Sequence, residues 1–207
     1  MQEGTGLTEF ARKYPDRLFD VGIAEGHAVS MAGGMAKQGL VPVFAVYSSF
    51  LQRGYDQLLQ DVALDGLHVV LGVDRAGLVG ADGETHHGCF DALYLSQVPH
   101  MTVLCPASFA ELRQMLRRAV LELTGPVAVR YPRGGEGAYQ DCCGNETFTQ
   151  VRPGADCTIL TYGVLINEAL AAAELLHEAG VETRVVKLNA IAPLDGNAVL
   201  AALGSEK

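Results

Sequence analysis

The run Asp74-Arg-Ala-Gly-Leu-Val-Gly-Ala-Asp-Gly-Glu-Thr-His-His-Gly88 concentrates residue types that do chemistry: four glycines, two aspartates, an arginine and two adjacent histidines. It follows an apolar, strand-like stretch, His68 to Val73. Glycine lets backbone approach a ligand closely, and polar groups just past a buried strand sit where open α/β sheets build their sites. Three other segments have similar potential. In Phe19-Asp-Val-Gly-Ile-Ala-Glu-Gly-His27, Glu25 falls at a strand-to-helix junction, where negative charge is stabilised. On the residues alone it is equally a first-turn capping acid. In Tyr47-Ser-Ser-Phe50-Leu-Gln-Arg53, rings at a strand end can stack on a flat heterocycle or simply fill the core. In Val129-Arg-Tyr-Pro-Arg-Gly134, the arginines suit bidentate phosphate binding or plain surface charge. A histidine near its working pKa can move protons, although a His or Asp in a loop is more often only solvated.

The elements that must hold these residues alternate. Ala24 to Lys37, rich in Ala, Met and Gly, reads as a tightly packed helix, and Val41 to Val46 as a buried strand. Phe50 to Leu64 has apolar residues at helical spacing. Val69 to Val73 and Met101 to Leu104 read as strands. Ser108 with Glu111 is a capping-box signature for a helix running to about Leu123, ended by Gly125-Pro126, and Val127 to Tyr131 is a further strand. Strands separated by helices imply crossovers and an α/β fold, a mostly parallel sheet with helices on both faces. Composition then turns polar, glycine-rich and aperiodic, so 135–153 reads as a linker. A second β-α-β pattern follows: Thr158 to Thr161, Asn167 to Glu178 with Gly180 as C-cap, Val181 to Val186, then a helix from Asp195 to Leu203. The expected division is 1–134, a linker, and a partial second α/β domain at 154–207.

Composition narrows the functions. With 49% hydrophobic and 19% charged residues among 207, the chain is built to fold. A formal charge of −9 disfavours nucleic acid and anionic membranes as partners, while leaving room for a local basic pocket. No apolar run has membrane-spanning length, and Met-Gln-Glu-Gly-Thr-Gly is not a signal peptide. Five cysteines without a C-x-x-C pair read as reduced thiols, which points to the cytoplasm. No His or Cys cluster has zinc spacing, so no metal site is expected on these residues.

Taken together, the four segments closely resemble the 1-deoxy-D-xylulose-5-phosphate synthase family, thiamine-diphosphate-dependent relatives of transketolase. The resemblance runs from Gly4 to Leu203 and is most specific between Asp20 and Gly134. It implies that 1–134 is a pyrimidine-binding domain and 154–207 part of a transketolase-type C-terminal domain. It implies that Glu25 is the catalytic glutamate, which hydrogen-bonds the pyrimidine ring of thiamine diphosphate and so promotes loss of the thiazolium proton. Phe50 would pack on the aminopyrimidine, Tyr47 would face cofactor and substrate, and Arg53 would lie beside them. Arg75 and Arg133 would bind the phosphate of glyceraldehyde 3-phosphate. Asp82 and His86, rather than His87, would orient substrates and handle protons. Gly26 departs from the family, where glutamine is common.

For the whole protein the resemblance implies a transferase, a homodimer, that condenses pyruvate with D-glyceraldehyde 3-phosphate. The products are 1-deoxy-D-xylulose 5-phosphate and CO₂, for non-mevalonate isoprenoid, thiamine and pyridoxal precursors. Family members are longer and hold Mg²⁺ and the diphosphate on an N-terminal domain through a Gly-Asp-Gly motif absent from this sequence. The expectation is a fragment, inactive alone, lacking the first strand of its sheet and exposing apolar surface around Tyr47 and Phe50. Two alternatives stand: a separate subunit of another thiamine enzyme (transketolase or pyruvate dehydrogenase β type), or a non-catalytic interaction module.

Overall fold

The computed structural model describes residues 2–142 and 144–203. A short helix α1 (Thr8–Lys13) precedes α2 (Glu25–Lys37). Apolar runs then become four parallel strands, β1 (Val43–Tyr47), β2 (Val70–Asp74), β3 (Thr102–Leu104) and β4 (Val127–Arg130), in the spatial order β1-β2-β4-β3. β2 is buried throughout, as a central parallel strand should be. Alternation along the strands divides the core. Leu71, Val73, Val103 and Ala128 pack with Val29, Leu51 and Leu58 on one face. Val70, Leu104, Val127 and Val129 pack with Met115 and Ala119 on the other.

The helical segment after β1 is less regular than its periodicity suggests. α3 (Ser48–Leu51), a 3₁₀ turn (Gln52–Gly54), α4 (Tyr55–Gln57) and a π-helical stretch (Leu58–Ala63) follow one another. A side chain at Gly54 would meet Val29 Cγ2 at 3.0 Å and the Glu25 carbonyl at 3.5 Å, so a glycine there lets this segment close on the start of α2. Helices α5 (Asp91–Ser96) and α6 (Phe109–Leu121) complete the layer around the sheet. Ser108 caps α6 by accepting the Glu111 N–H at 3.1 Å, as the signature predicts. The reciprocal bond goes one residue further back, with Glu111 Oε2 accepting from Ala107 N–H at 2.8 Å.

The stretch read as a linker is not all linker. Phe148–Arg152 forms β5, whose partner lies far along the chain and leaves no mark in local periodicity. With β6 (Cys157–Tyr162) and β7 (Thr183–Leu188) it makes a second sheet ordered β5-β7-β6, covered by α7 (Ile166–Glu178). Gly180 ends α7 with φ of +82°. The chain then returns: β8 (Ala190–Ala192) pairs antiparallel with β3, a fifth strand on the first sheet, before α8 (Gly196–Leu203).

Candidate functional site

The parallel register brings strand ends level. Tyr47 closes β1 opposite Asp74, which closes β2, and Arg130 of β4 pairs with Val73. The site is assembled from the segments just beyond these ends, the position expected for an open α/β sheet.

Two cavities lie there. One, of about 340 Å³, is lined by Glu25, Tyr47, Phe50, Arg53 and His86 among others. Glu25 opens α2 and is 9% exposed, its carboxylate 3.1 Å from Arg53 Nη1. The Tyr47 and Phe50 rings stack with centroids 5.4 Å apart, and His86 meets Phe50 edge-on at 5.0 Å. Arg53 lies over the Phe50 ring at 5.1 Å. The histidines divide their roles by geometry. His86 faces the rings, whereas His87 Nδ1 accepts the Val79 N–H at 3.1 Å and so ties the loop together. His27 points outward and is exposed.

The second cavity, about 520 Å³, adjoins the first at Thr5 and is lined by Arg75, Arg133, Asp74 and the start of α6. Arg75 has left-handed backbone, φ +60°, unusual for a non-glycine residue. Several contacts hold it there. Its N–H donates to Asp74 Oδ1 at 2.7 Å, its Nη1 to Asp74 Oδ2 and to the Gly4 carbonyl at 3.0 Å, and its guanidinium lies 4.0 Å from the Tyr47 ring centroid. Burial works against the Arg75 charge, but the carboxylates of Asp74 and Asp82 and the Tyr47 ring outweigh it, so its pKa is raised. Asp82 Oδ2 bridges the two arginines, 3.2 Å from Arg75 Nε and 3.0 Å from Arg133 Nε.

Seven of the eight expected residues thus line the two adjoining cavities, and Asp82 joins them through its ion pairs with Arg75 and Arg133. The other arginine of the Arg-Tyr-Pro-Arg segment is engaged elsewhere. Arg130 makes a bidentate pair with Asp91, at 2.8 and 3.1 Å, which spacing along the chain did not signal. The expected exposure of Tyr47 is corrected. The residue is only 7% exposed, because Arg75 covers it and Phe50 and His86 pack beside it. Ile23, which lines the same cavity, is exposed. Among the described residues no group of three or more His, Cys, Asp or Glu is placed to hold a metal ion, and no helix is long and apolar enough to cross a membrane.

Comparison with known proteins identifies the family. Residues 1–136 match the family described as "Transketolase, pyrimidine binding domain", and residues 147–207 match "Transketolase, C-terminal domain". Curated relatives include the 1-deoxy-D-xylulose-5-phosphate synthases of Clostridium kluyveri, 50% identical over 198 residues, and of Halalkalibacterium halodurans, 49% identical over 200. Each alignment covers 94% of this chain and 32% of the relative, so the chain spans about a third of the length of these relatives. A solved structure, "Split gene transketolase, inactive beta4 tetramer", superposes with a TM-score of 0.84 at 28% identity, covering 96% of this chain and 66% of that one. The chain belongs to the transketolase pyrimidine-binding domain family, with the C-terminal domain of that family following it.

Proposed function

We propose that this chain supplies the pyrimidine-binding side of a thiamine-diphosphate site that condenses pyruvate with D-glyceraldehyde 3-phosphate, giving 1-deoxy-D-xylulose 5-phosphate and CO₂. The carrying observation is the nearly buried Glu25 carboxylate beside the stacked Tyr47 and Phe50 rings. That donor set fits an aminopyrimidine. A flat apolar wall receives the ring, and a carboxylate at a helix N-terminus shares a proton with a ring nitrogen. Thiamine diphosphate, when bound, would supply a nucleophilic carbon. Glu25 holds a proton at the pyrimidine nitrogen, and Arg53 fixes its carboxylate. Tyr47 and Phe50 orient the ring and exclude water. Arg75 and Arg133 bind the acceptor's phosphate, displacing Asp82 from between them, and His86, beside the Tyr47 and Phe50 rings, is the residue that would move a proton for the acceptor. In this reading Mg²⁺ and the diphosphate are held by a separate N-terminal domain, so this chain alone is inactive. The protein is a cytoplasmic homodimer with two units, 1–134 and 154–207, and β5, in the stretch between them, pairs with β7 of the second.

The test is condensation of the two substrates with thiamine diphosphate and Mg²⁺, using this chain alone and with an added N-terminal domain of a relative. Activity that appears only on complementation, and is lost in Glu25→Ala, supports the reading. Activity of the chain alone overturns the inactivity, and no activity from an associated mixture overturns the assigned reaction. One observation favours a second reading, a separate subunit of a two-chain thiamine enzyme: the split-gene transketolase matches 96% of this chain. Transfer of a two-carbon ketol unit, in place of pyruvate condensation, would decide for it.

A further inference from the structure

Arg133 lies near the start of a strap, 131–141, that leaves β4 and borders the larger cavity through Gly134, Gly135 and Glu136. On one side the strap is anchored at Tyr131, whose N–H donates to the Val73 carbonyl and whose carbonyl accepts from Ala76 N–H, both at 3.0 Å. Gly134, with φ of +110°, and Gly135 give the backbone no stiffness of their own. The course of the strap, and with it the place of Arg133, is therefore set by the anchors at its two ends.

The far anchor is a buried polar network. The Tyr139 hydroxyl donates to Glu111 Oε1 at 3.0 Å, and Tyr139 N–H donates to Asn167 Oδ1 at 2.9 Å. Glu111 is fully buried, as is Lys187 of β7, whose Nζ lies 3.0 Å from Oε1 and 3.1 Å from Oε2. Lys187 also donates to Asn189 Oδ1, and Asn189 Nδ2 donates to the Glu146 carbonyl at 3.1 Å and to Thr149 Oγ1 at 2.9 Å. The Ala107 N–H fills the remaining acceptor site on Glu111. A buried carboxylate with one donor would be costly. One satisfied by an ammonium, a phenol and an amide specifies a single arrangement of the parts that supply them. Those parts are α6, the strap and β7, brought together from the middle and the later part of the chain.

We propose that Glu111, acting through Tyr139, is a positioning residue for Arg133: its network with Lys187 holds the strap in the place that sets Arg133 opposite Arg75. This deepens, and rests on, the reading of these arginines as phosphate ligands. The substitution that isolates it is Tyr139→Phe, which removes the hydroxyl and keeps the ring. In the full chain, amide hydrogen exchange and the dissociation constant for inorganic phosphate are measured, with Arg133→Ala in parallel. Loss of one hydrogen bond to a charged group should speed exchange about tenfold within the strap alone and weaken phosphate binding about three- to tenfold. A merely structural tyrosine would instead raise exchange across both sheets, and that result, or unchanged exchange in the strap, overturns the proposal. So does faster strap exchange with unaltered phosphate binding when Arg133→Ala weakens it. If Arg133→Ala leaves phosphate binding unaltered, the phosphate reading itself fails, and the confinement of faster exchange to the strap decides the positioning role.

Discussion

Asp91→Ala tests most directly how the arginine-bearing end of β4 is held. Asp91 is fully buried in the first turn of α5, and the Arg130 side chain is 10% exposed. Two N–H···O bonds, at 2.8 and 3.1 Å, join them. Burial works against the Arg130 charge, but the Asp91 carboxylate more than offsets it and the guanidinium pKa is raised. Removing the carboxylate strands a guanidinium that cannot deprotonate, and breaking such a buried pair costs about 3–5 kcal/mol. For a chain of this size that lowers the melting temperature by about 6–20 °C. The assay is urea and thermal unfolding at pH 7, with Asp65→Ala as the contrast. That variant deletes the exposed Lys37–Asp65 pair and should change little, since solvent screens it. Asp91→Leu with Arg130→Met, which removes both charges, should recover most of the loss. If Asp91→Ala costs no more than Asp65→Ala, the buried pair does not hold the strand end and the reasoning fails.

Gly26 and Gln57 should behave as a coupled pair. A Cβ at position 26 meets Gln57 Oε1, a buried oxygen without a hydrogen-bond partner among the described residues, at 3.1 Å. Gly26→Ala should therefore gain less of its roughly 1 kcal/mol helix propensity in the native sequence than in a Gln57→Ala background; additivity within about 0.5 kcal/mol would refute the coupling. Burial pushes the Cys105 thiol up to about 11 and the Tyr131 phenol up to about 12. Both stay neutral in the fold while the unfolded chain ionises at ordinary values. Their contribution to stability should be level below about pH 9 and fall steadily from there to about pH 12, measurable by denaturant titration between about pH 8 and 12. For the same reason a thiol reagent at pH 8 should label exposed Cys89 and spare Cys105 until the protein unfolds. Ser108→Ala removes the α6 cap and the bond its hydroxyl donates to the Asp141 carbonyl at 2.8 Å, and should cost about 1–2 kcal/mol by equilibrium unfolding.

The elements that could be read from sequence are those whose surroundings are uniform. β1, β2, β4 and α2 lie in the interior or against it, and their apolar runs say so. β5 and β8 could not be read this way. One sits in a polar stretch with half-exposed side chains, the other is three residues long, and both exist because of partners far along the chain. The irregular helix after β1 escaped for a related reason, since the close approach at Gly54 depends on α2. At the site, the residue types were legible through the family motif, and their convergence was not deducible from spacing. The pairs that hold the frame were silent: Arg130 with Asp91 and Lys187 with Glu111 span 39 and 76 residues, and each partner alone resembles ordinary surface charge.

The return of β8 to β3 has a consequence for covalent continuity. The two halves of the chain are sewn by a shared sheet, by the Cys105 N–H donating to the Asn189 carbonyl at 2.9 Å, and by the ion pair between α6 and β7. The peptide bond between Gly144 and Asn145 contributes little to that seam. A protease nick there should leave a non-covalent heterodimer with the same outline, and the two pieces made separately should find each other. In physical terms this chain is already a complex whose two members happen to be translated as one.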